Sequence, residues 1–178
     1  CTQGILAQGD ELVAVVEGTI TDVGSVANKV TSYKVMRGAT DVTANYTFGT
    51  SIDGTLTVEK RDVILTSATD SKIYDGLPLT NSTVTVGGSG FAAGEGASYT
   101  VTGSQTFVGT SDNTFTYALN EGTNADNYSI TQVEGKLEVT KADIAITITA
   151  ASATKVYDGT ALTDSGWDMT AGTLAAGD

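Results

Sequence analysis

Residues 61–82 read RDVILTSATDSKIYDGLPLTNS, and residues 142–165 read ADIAITITAASATKVYDGTALTDS. The two stretches share the pattern Y-D-G-x-x-L-T and differ by an insertion of two residues. Their tyrosines, Tyr74 and Tyr157, are 83 positions apart. Self-similarity at such a spacing indicates a repeated structural unit.

Two further sets of segments give the length and the phase of this unit. NYTFGTSIDGTLTVEK ends at Lys60 and NYSITQVEGKLEVTK ends at Lys141, whereas GILAQGD, GFAAGEG and GTLAAGD begin at Gly4, Gly90 and Gly172. The unit is thus roughly 80 residues long. We predict that residues 1–60 are the C-terminal part of a first repeat, residues 61–141 a complete central repeat, and residues 142–178 the N-terminal part of a third.

Within the unit, apolar residues alternate with polar ones at the period of a half-buried β-strand. In residues 143–149 the alternating apolar positions are Ile144, Ile146 and Ile148, and Val63 and Leu65 take the same role in the central copy. The same pattern predicts strands at residues 83–86 and around Tyr99/Val101, Phe115/Tyr117/Leu119, Tyr128/Ile130 and Leu137/Val139.

The turn signals between these strands lead to a fold class. Asp53-Gly54 predicts a hairpin between Tyr46/Phe48 and Leu56/Val58, and Glu134-Gly135 predicts the corresponding turn in the central copy. Six or seven short strands per repeat predict an all-β chain of tandem small β-sandwiches, immunoglobulin-like in a loose sense. A short helix in residues 88–97 would instead favour a β-grasp-like fold.

Charge and composition exclude several classes of protein. There are 9 basic and 21 acidic residues, a net charge of −12, so contact with nucleic acid or an anionic membrane is not expected. The chain has no His, which removes the Ser-His-Asp and Cys-His catalytic sets. Cys1 is the only cysteine and could be the lipidated first residue of a lipoprotein. We expect no enzyme activity.

Two ordered motifs carry a family resemblance. K-I-Y-D-G at residues 72–76 and K-V-Y-D-G-T at residues 155–160, with N-Y-[ST]-[IF] and G-x-L-x-V-[TE]-K closing each unit, resemble the YDG/MBG-type tandem repeats of bacterial cell-surface proteins and adhesins. The resemblance implies a secreted or surface-anchored, extracellular location and a stalk or fibre. It implies no catalytic residues.

The Y-D-G triplets are the first candidate sites. Tyr74, Asp75 and Gly76, like Tyr157, Asp158 and Gly159, are predicted to form a structural turn in which Asp bonds nearby backbone and Gly takes a positive φ. Exposed tyrosines that bind a ligand are the alternative.

No cofactor is expected, and two weaker chemical possibilities stay open. Calcium would need several converging oxygens, for which Asp62, Asp75, Asp143 and Asp158 are candidates. An intramolecular Lys–Asn isopeptide bond could involve Lys60 or Lys141, which lie at predicted strand ends.

Two classes of function follow. The first is a structural stalk, fibre or matrix subunit whose partners are neighbouring repeats or further copies of itself. The incomplete repeats could be completed by further residues of a longer polypeptide or, head to tail, by another copy. In the second case Ile144, Ile146 and Ile148 should pack on Tyr46, Phe48, Leu56 or Val58 of a neighbouring copy. The alternative is an adhesin module that recognises a glycan or a host protein.

Overall fold

The computed structural model describes residues 4–175. Cys1, the candidate for lipidation, lies outside the described residues. The chain is nearly all-β: among residues 4–175 there is no α-helix, only the one-turn 3-10 helices Thr43–Asn45 and Ala125–Asn127. None of these residues forms a helix with the length and apolar character needed to cross a bilayer.

The chain divides into two compact units. The first holds the residues up to Asp62 together with Asn124–Ser129, and the second holds Val63–Thr123 with the residues from Ile130 onward. The strands of the first unit are β1 (Glu11–Glu17), β2 (Gly24–Arg37), β3 (Thr40–Asp41) and β4 (Gly54–Val58).

Strand β2 organises the first unit. Its second half pairs antiparallel with β1, and its first half pairs antiparallel with β4. Among the described residues of this unit, the buried apolar side chains are Val35 and, in the segment Asn124–Ser129, Tyr128 at 4% exposure. This unit therefore has sheets but little core of its own.

The second unit contains two three-stranded sheets, in the orders β11-β5-β7 and β6-β12-β9, and the two-stranded sheets β8-β10 and β13-β14. The arrangement is compatible with a β-sandwich. The strands are β5 (Arg61–Ser67), β6 (Asp70–Ile73), β7 (Val84–Gly88), β8 (Ala97–Val101), β9 (Gly109–Asn113), β10 (Phe115–Leu119), β11 (Tyr128–Val133), β12 (Gly135–Thr140), β13 (Thr147–Ala150) and β14 (Trp167–Ala171).

The core of the second unit follows from strict alternation on two strands. Every second residue of β5 and of β12 is buried, which brings Val63, Leu65, Leu137 and Val139 inside. All four are at most 1% exposed. The strands predicted around these residues, and those predicted for residues 83–86, Tyr99/Val101 and Phe115/Tyr117/Leu119, are confirmed.

Three local predictions were wrong. Asp53-Gly54 and Glu134-Gly135 do not turn hairpins: no described residue of 46–53 lies in a strand, and β12 pairs with β6 and β9 rather than with β11. Neither Gly54 nor Gly135 has a positive φ, so neither glycine adopts the left-handed backbone conformation of a hairpin turn. The strand predicted for residues 143–149 begins only at Thr147, and residues 88–97 form turns without the helix that a β-grasp-like fold would need.

The burial pattern predicts unequal costs along β5. Leu65→Ala should lower the free energy of unfolding by about 2–5 kcal/mol, because it removes a fully buried side chain. Ile64→Ala in the same strand, where the side chain is 40% exposed, should cost about 1 kcal/mol or less. Urea unfolding followed by circular dichroism measures both. Equal losses would mean that β5 does not present Leu65 to a core.

Candidate functional site

The first Y-D-G triplet forms a turn held by a lysine. Asp75 Oδ1 accepts a hydrogen bond from the backbone N–H of Leu77 at 3.0 Å and lies 2.6 Å from Lys72 Nζ. The same ammonium donates to the Leu77 carbonyl at 2.5 Å. Gly76 has φ of 80°, which only glycine adopts without strain. Lys72 thus joins the two ends of the turn.

The second triplet repeats this geometry. Asp158 Oδ1 accepts from the Thr160 backbone N–H at 2.9 Å and lies 2.8 Å from Lys155 Nζ. The Lys155 ammonium also donates to Thr160 Oγ1 at 2.7 Å and to the Ala161 carbonyl at 3.3 Å. Gly159 has the same φ of 80°. The turn therefore forms in two different surroundings, as expected of a local motif.

The two tyrosines differ in burial. Tyr74 packs against Leu79, Leu137 and Val139, and its N–H donates to the Thr140 carbonyl at 2.8 Å. Tyr157 is 92% exposed. The turn does not bury its tyrosine by itself, because burial depends on whether a strand such as β12 lies beside the ring.

Electrostatics at the two turns favour ionised carboxylates bound to lysine. The Lys72 ammonium, and after it the Leu77 N–H, lower the pKa of Asp75. The Lys155 ammonium, followed by Thr160, lowers the pKa of Asp158 in the same way. No three acidic or cysteine side chains of the described residues converge to hold a metal ion, so the four calcium candidates, Asp62, Asp75, Asp143 and Asp158, are not brought together there.

A buried amide that sequence reasoning missed joins β9 to the loops after β5 and β6. The Asn113 side chain is fully buried, and its Nδ2 donates to the carbonyls of Ala68 and Asn81, both at 2.9 Å. The Asn113 carbonyl accepts from Ser67 Oγ at 2.6 Å, and the same hydroxyl accepts from the Gly135 N–H at 3.0 Å.

Two glycines make room for this amide network. A Cβ on Gly103 would lie 2.5 Å from Asn113 Cα, and a Cβ on Gly135 would lie 2.5 Å from the Ser67 carbonyl oxygen. Real Cβ atoms do not approach other atoms so closely, so both positions need glycine. Asn113 Oδ1 has no donor among the described residues and faces the open side of Gly103.

The first unit holds the same residues in the same register. β2 pairs with β4 so that Asn28 lies opposite Gly54, just as Asn113 lies opposite Gly135 in the pairing of β9 with β12. Gly18 lies against Asn28 as Gly103 lies against Asn113, at 3.0 Å from Asn28 Cα to an added Cβ. The side-chain amide of Asn28, however, makes no hydrogen bond with any described residue.

The hairpin of β13 and β14 matches β5 and β7 in the same way. Ala150 lies opposite Trp167 as Ser67 lies opposite Val84. The Ala151 N–H donates to the Gly166 carbonyl at 2.8 Å, matching Ala68 and Thr83 at 3.0 Å. Unlike β5, the hairpin is exposed along both strands.

The predicted assembly residues have different surroundings. Ile144, Ile146 and Ile148 are 49%, 47% and 64% exposed. The first two line an open apolar cleft with Tyr74, Val108 and Leu174 of the same unit. Their packing on a neighbouring copy stays a prediction.

Of the predicted acceptor residues, two already have partners within the first unit. The Tyr46 hydroxyl donates to Asp10 Oδ2 at 2.6 Å, and the Phe48 ring lies 4.5 Å from that of Tyr33. Leu56 and Val58 are half-buried on β4. Of the two predicted acceptor segments, β4 therefore has fewer side-chain partners within the first unit than the segment that holds Tyr46 and Phe48.

Within residues 4–175, neither of the two lysines named in the isopeptide hypothesis forms a hydrogen bond with an asparagine. Lys60 Nζ lies 3.5 Å from the Tyr128 carbonyl, and Lys141 lines the apolar cleft. The hypothesis stays a prediction that a mass measurement would test.

Comparison with known proteins adds no relative. No family model, no curated protein and no solved structure matches the chain. The resemblance to YDG/MBG-type repeats therefore depends on the motifs quoted above.

Removing the buried amide should destabilise the second unit. Asn113→Ala leaves the Ala68 and Asn81 carbonyls without their donor, which should cost on the order of 3 kcal/mol. Asn28→Ala is the matched control and should leave the thermal unfolding of dilute protein nearly unchanged. Similar losses at the two positions would show that the hydrogen bonds of Asn113 do not matter.

The lysine-bound turns predict that the melting temperature falls at acidic pH. Because the folded-state pKa of Asp75 and Asp158 lies below the usual value of about 3.9, their contribution is complete above that pH and is lost as pH falls through the folded-state pKa. In the double variant Asp75→Asn/Asp158→Asn, the melting temperature should change less with pH between about pH 4 and pH 2.

At neutral pH, EGTA should leave the melting temperature of the unmodified chain unchanged. A fall of more than a few degrees would favour calcium.

Proposed function

We propose that this chain belongs to the structural repeat region of a secreted or surface-anchored bacterial protein, where it acts as stalk, fibre or matrix subunit. Its units would be small β-sandwiches of roughly 80 residues, immunoglobulin-like in outline, that follow one another in tandem. The role is mechanical and not catalytic.

The observation that carries the proposal is the repeated register of asparagine and glycine. Asn28 opposite Gly54 and Asn113 opposite Gly135 are separated by 85 and 81 positions along the chain. A pairing this specific, at about the period of the sequence motifs, supports one unit used more than once. The resemblance to YDG/MBG-type repeats supplies the expected extracellular location.

The short connection between β4 and β5 supports an array that bears mechanical load. β4 ends at Val58 and β5 begins at Arg61, so Glu59 and Lys60 alone connect them. A connection this short, with neither Gly nor Pro in it or in the Arg61-Asp62 pair that follows, would allow little bending. The net charge of −12 favours solubility at high local density.

Small-angle scattering tests the array directly. A protein made of several repeats joined by the native linkers should scatter as a rod whose length grows linearly with repeat number. A version with four glycines inserted after Lys60 and Lys141 is the control and should bend. A compact particle for the native linkers would contradict the proposal, and selective signals on a glycan array would favour the adhesin alternative.

A further inference from the structure

We propose that the first unit is a socket for the β13–β14 hairpin of a second copy of this chain, which would join copies head to tail. The inference rests on the proposed repeat function and names its partner. The socket consists of Asn28, Gly54 and the outer edge of β4. The hairpin with the residues that connect its strands, 147–171, is the insert.

The second unit contains a filled example of this socket. There, Gly135 is packed against the backbone of Ser67 and Ala68, and Asn113 Nδ2 donates to Ala68 and Asn81. β6 then pairs in parallel with β12, Asp70 opposite Leu137. The filled example defines which groups an occupant must present.

Gly54 is the strongest sign that the socket of the first unit is built for an occupant. Its φ is not positive, and a Cβ added there would have nothing closer than Asn28 Cβ at 3.6 Å. Nothing among the described residues therefore requires glycine at this position. A seated backbone like that of Ser67 and Ala68 would require it.

The other socket groups are also open. The Asn28 amide makes no hydrogen bond with the described residues, and β4 pairs only with β2. An open strand edge next to half-buried Leu56 and Val58 is a template for an added strand.

The hairpin presents the matching groups. In the hairpin, Ala151 is the counterpart of Ala68, and Asp164 is the counterpart of Asn81. The Gly166 N–H donates to Asp164 Oδ1 at 2.8 Å, just as the Thr83 N–H donates to Asn81 Oδ1 at 3.1 Å. We therefore expect the carbonyls of Ala151 and Asp164 to be the acceptors for Asn28. Residues 153–156, the counterpart of β6, lie in no strand and would pair in parallel with residues 56–59.

Burial gives the driving force. Ile148 and Trp167 are both 64% exposed, whereas Leu65, the counterpart of Ile148, is fully buried. Seating the hairpin would remove this apolar surface from water. Because socket and insert are different surfaces, each copy could bind one neighbour at each, and the contact would propagate.

One position of the hairpin lacks a group that the filled socket uses. Ala150 stands where Ser67 supplies a hydroxyl to the Asn113 carbonyl and the Gly135 N–H. The proposed register therefore predicts that Ala150→Ser strengthens the contact, because the new hydroxyl would bond to Asn28 and Gly54 of the other copy.

Sedimentation velocity of the full chain over a range of concentrations tests the proposal. The unmodified chain should form concentration-dependent oligomers. Gly54→Ala should weaken association at least about tenfold, because the added Cβ overlaps the seated backbone, while its melting curve as a dilute monomer stays unchanged. Gly49→Ala is the matched control, since a Cβ there meets nothing within 4 Å. Ala150→Ser should strengthen association by roughly threefold to tenfold.

Three outcomes would overturn the proposal. They are a chain that stays monomeric at every concentration, association unaffected by Gly54→Ala, and association unaffected by Ala150→Ser. If the chain is monomeric but the multi-repeat protein scatters as a rod, a second copy does not occupy the socket, while the proposed repeat function still holds. A compact multi-repeat particle would remove the repeat function independently of these variants.

Discussion

The fold of the second unit depends on the close approach of the Ser67–Ala68 backbone to Gly135, fixed by the side chain of Asn113. This contact joins strand β5, early in the unit, to β12 at its end. Buried polar groups are costly unless paired, and a fully paired set specifies one register. A shift of β12 by one residue would move Leu137 and Val139 out of the core and would also break the hydrogen bond from the Gly135 N–H to Ser67 Oγ. Packing and hydrogen bonding therefore select the same register.

The Lys-x-x-Asp turn has a different, local role. Its aspartate and lysine are three positions apart, and the turn forms in residues 72–77 and again in residues 155–161, although one tyrosine is packed and the other is 92% exposed. Such a turn limits the conformations of the chain before tertiary contacts form. The burial of the tyrosine then depends on which residues lie beside the turn.

Sequence patterns predicted the strands whose burial alternates strictly, such as β5 and β12, because period-2 alternation reports burial directly. They failed at Gly54 and Gly135, where an acidic residue before glycine resembles a hairpin turn but neither glycine has the positive φ of such a turn. Asn113 carries no signal in sequence, since an asparagine at the end of the polar strand Gly109–Asn113 looks like an exposed residue. Its burial depends on partners 45 and 32 positions away, Ala68 and Asn81. Long-range contacts of this kind cannot be read from local pattern.

In the arrangement that we propose, the filled and the open site differ in how much apolar surface they bury. Leu137 and Leu65 are fully buried in the second unit, while Leu56 of the first unit is half-buried and Ile148 is exposed. A unit with a single buried apolar residue up to Asp62 is stabilised mainly by its sheets, and small sheets alone are marginal in water. If the units form the array that we propose, contacts between neighbours would offset part of the entropic cost of ordering each half. The ends of such an array, where these contacts are missing, would then be its least stable parts and the parts that bind further copies.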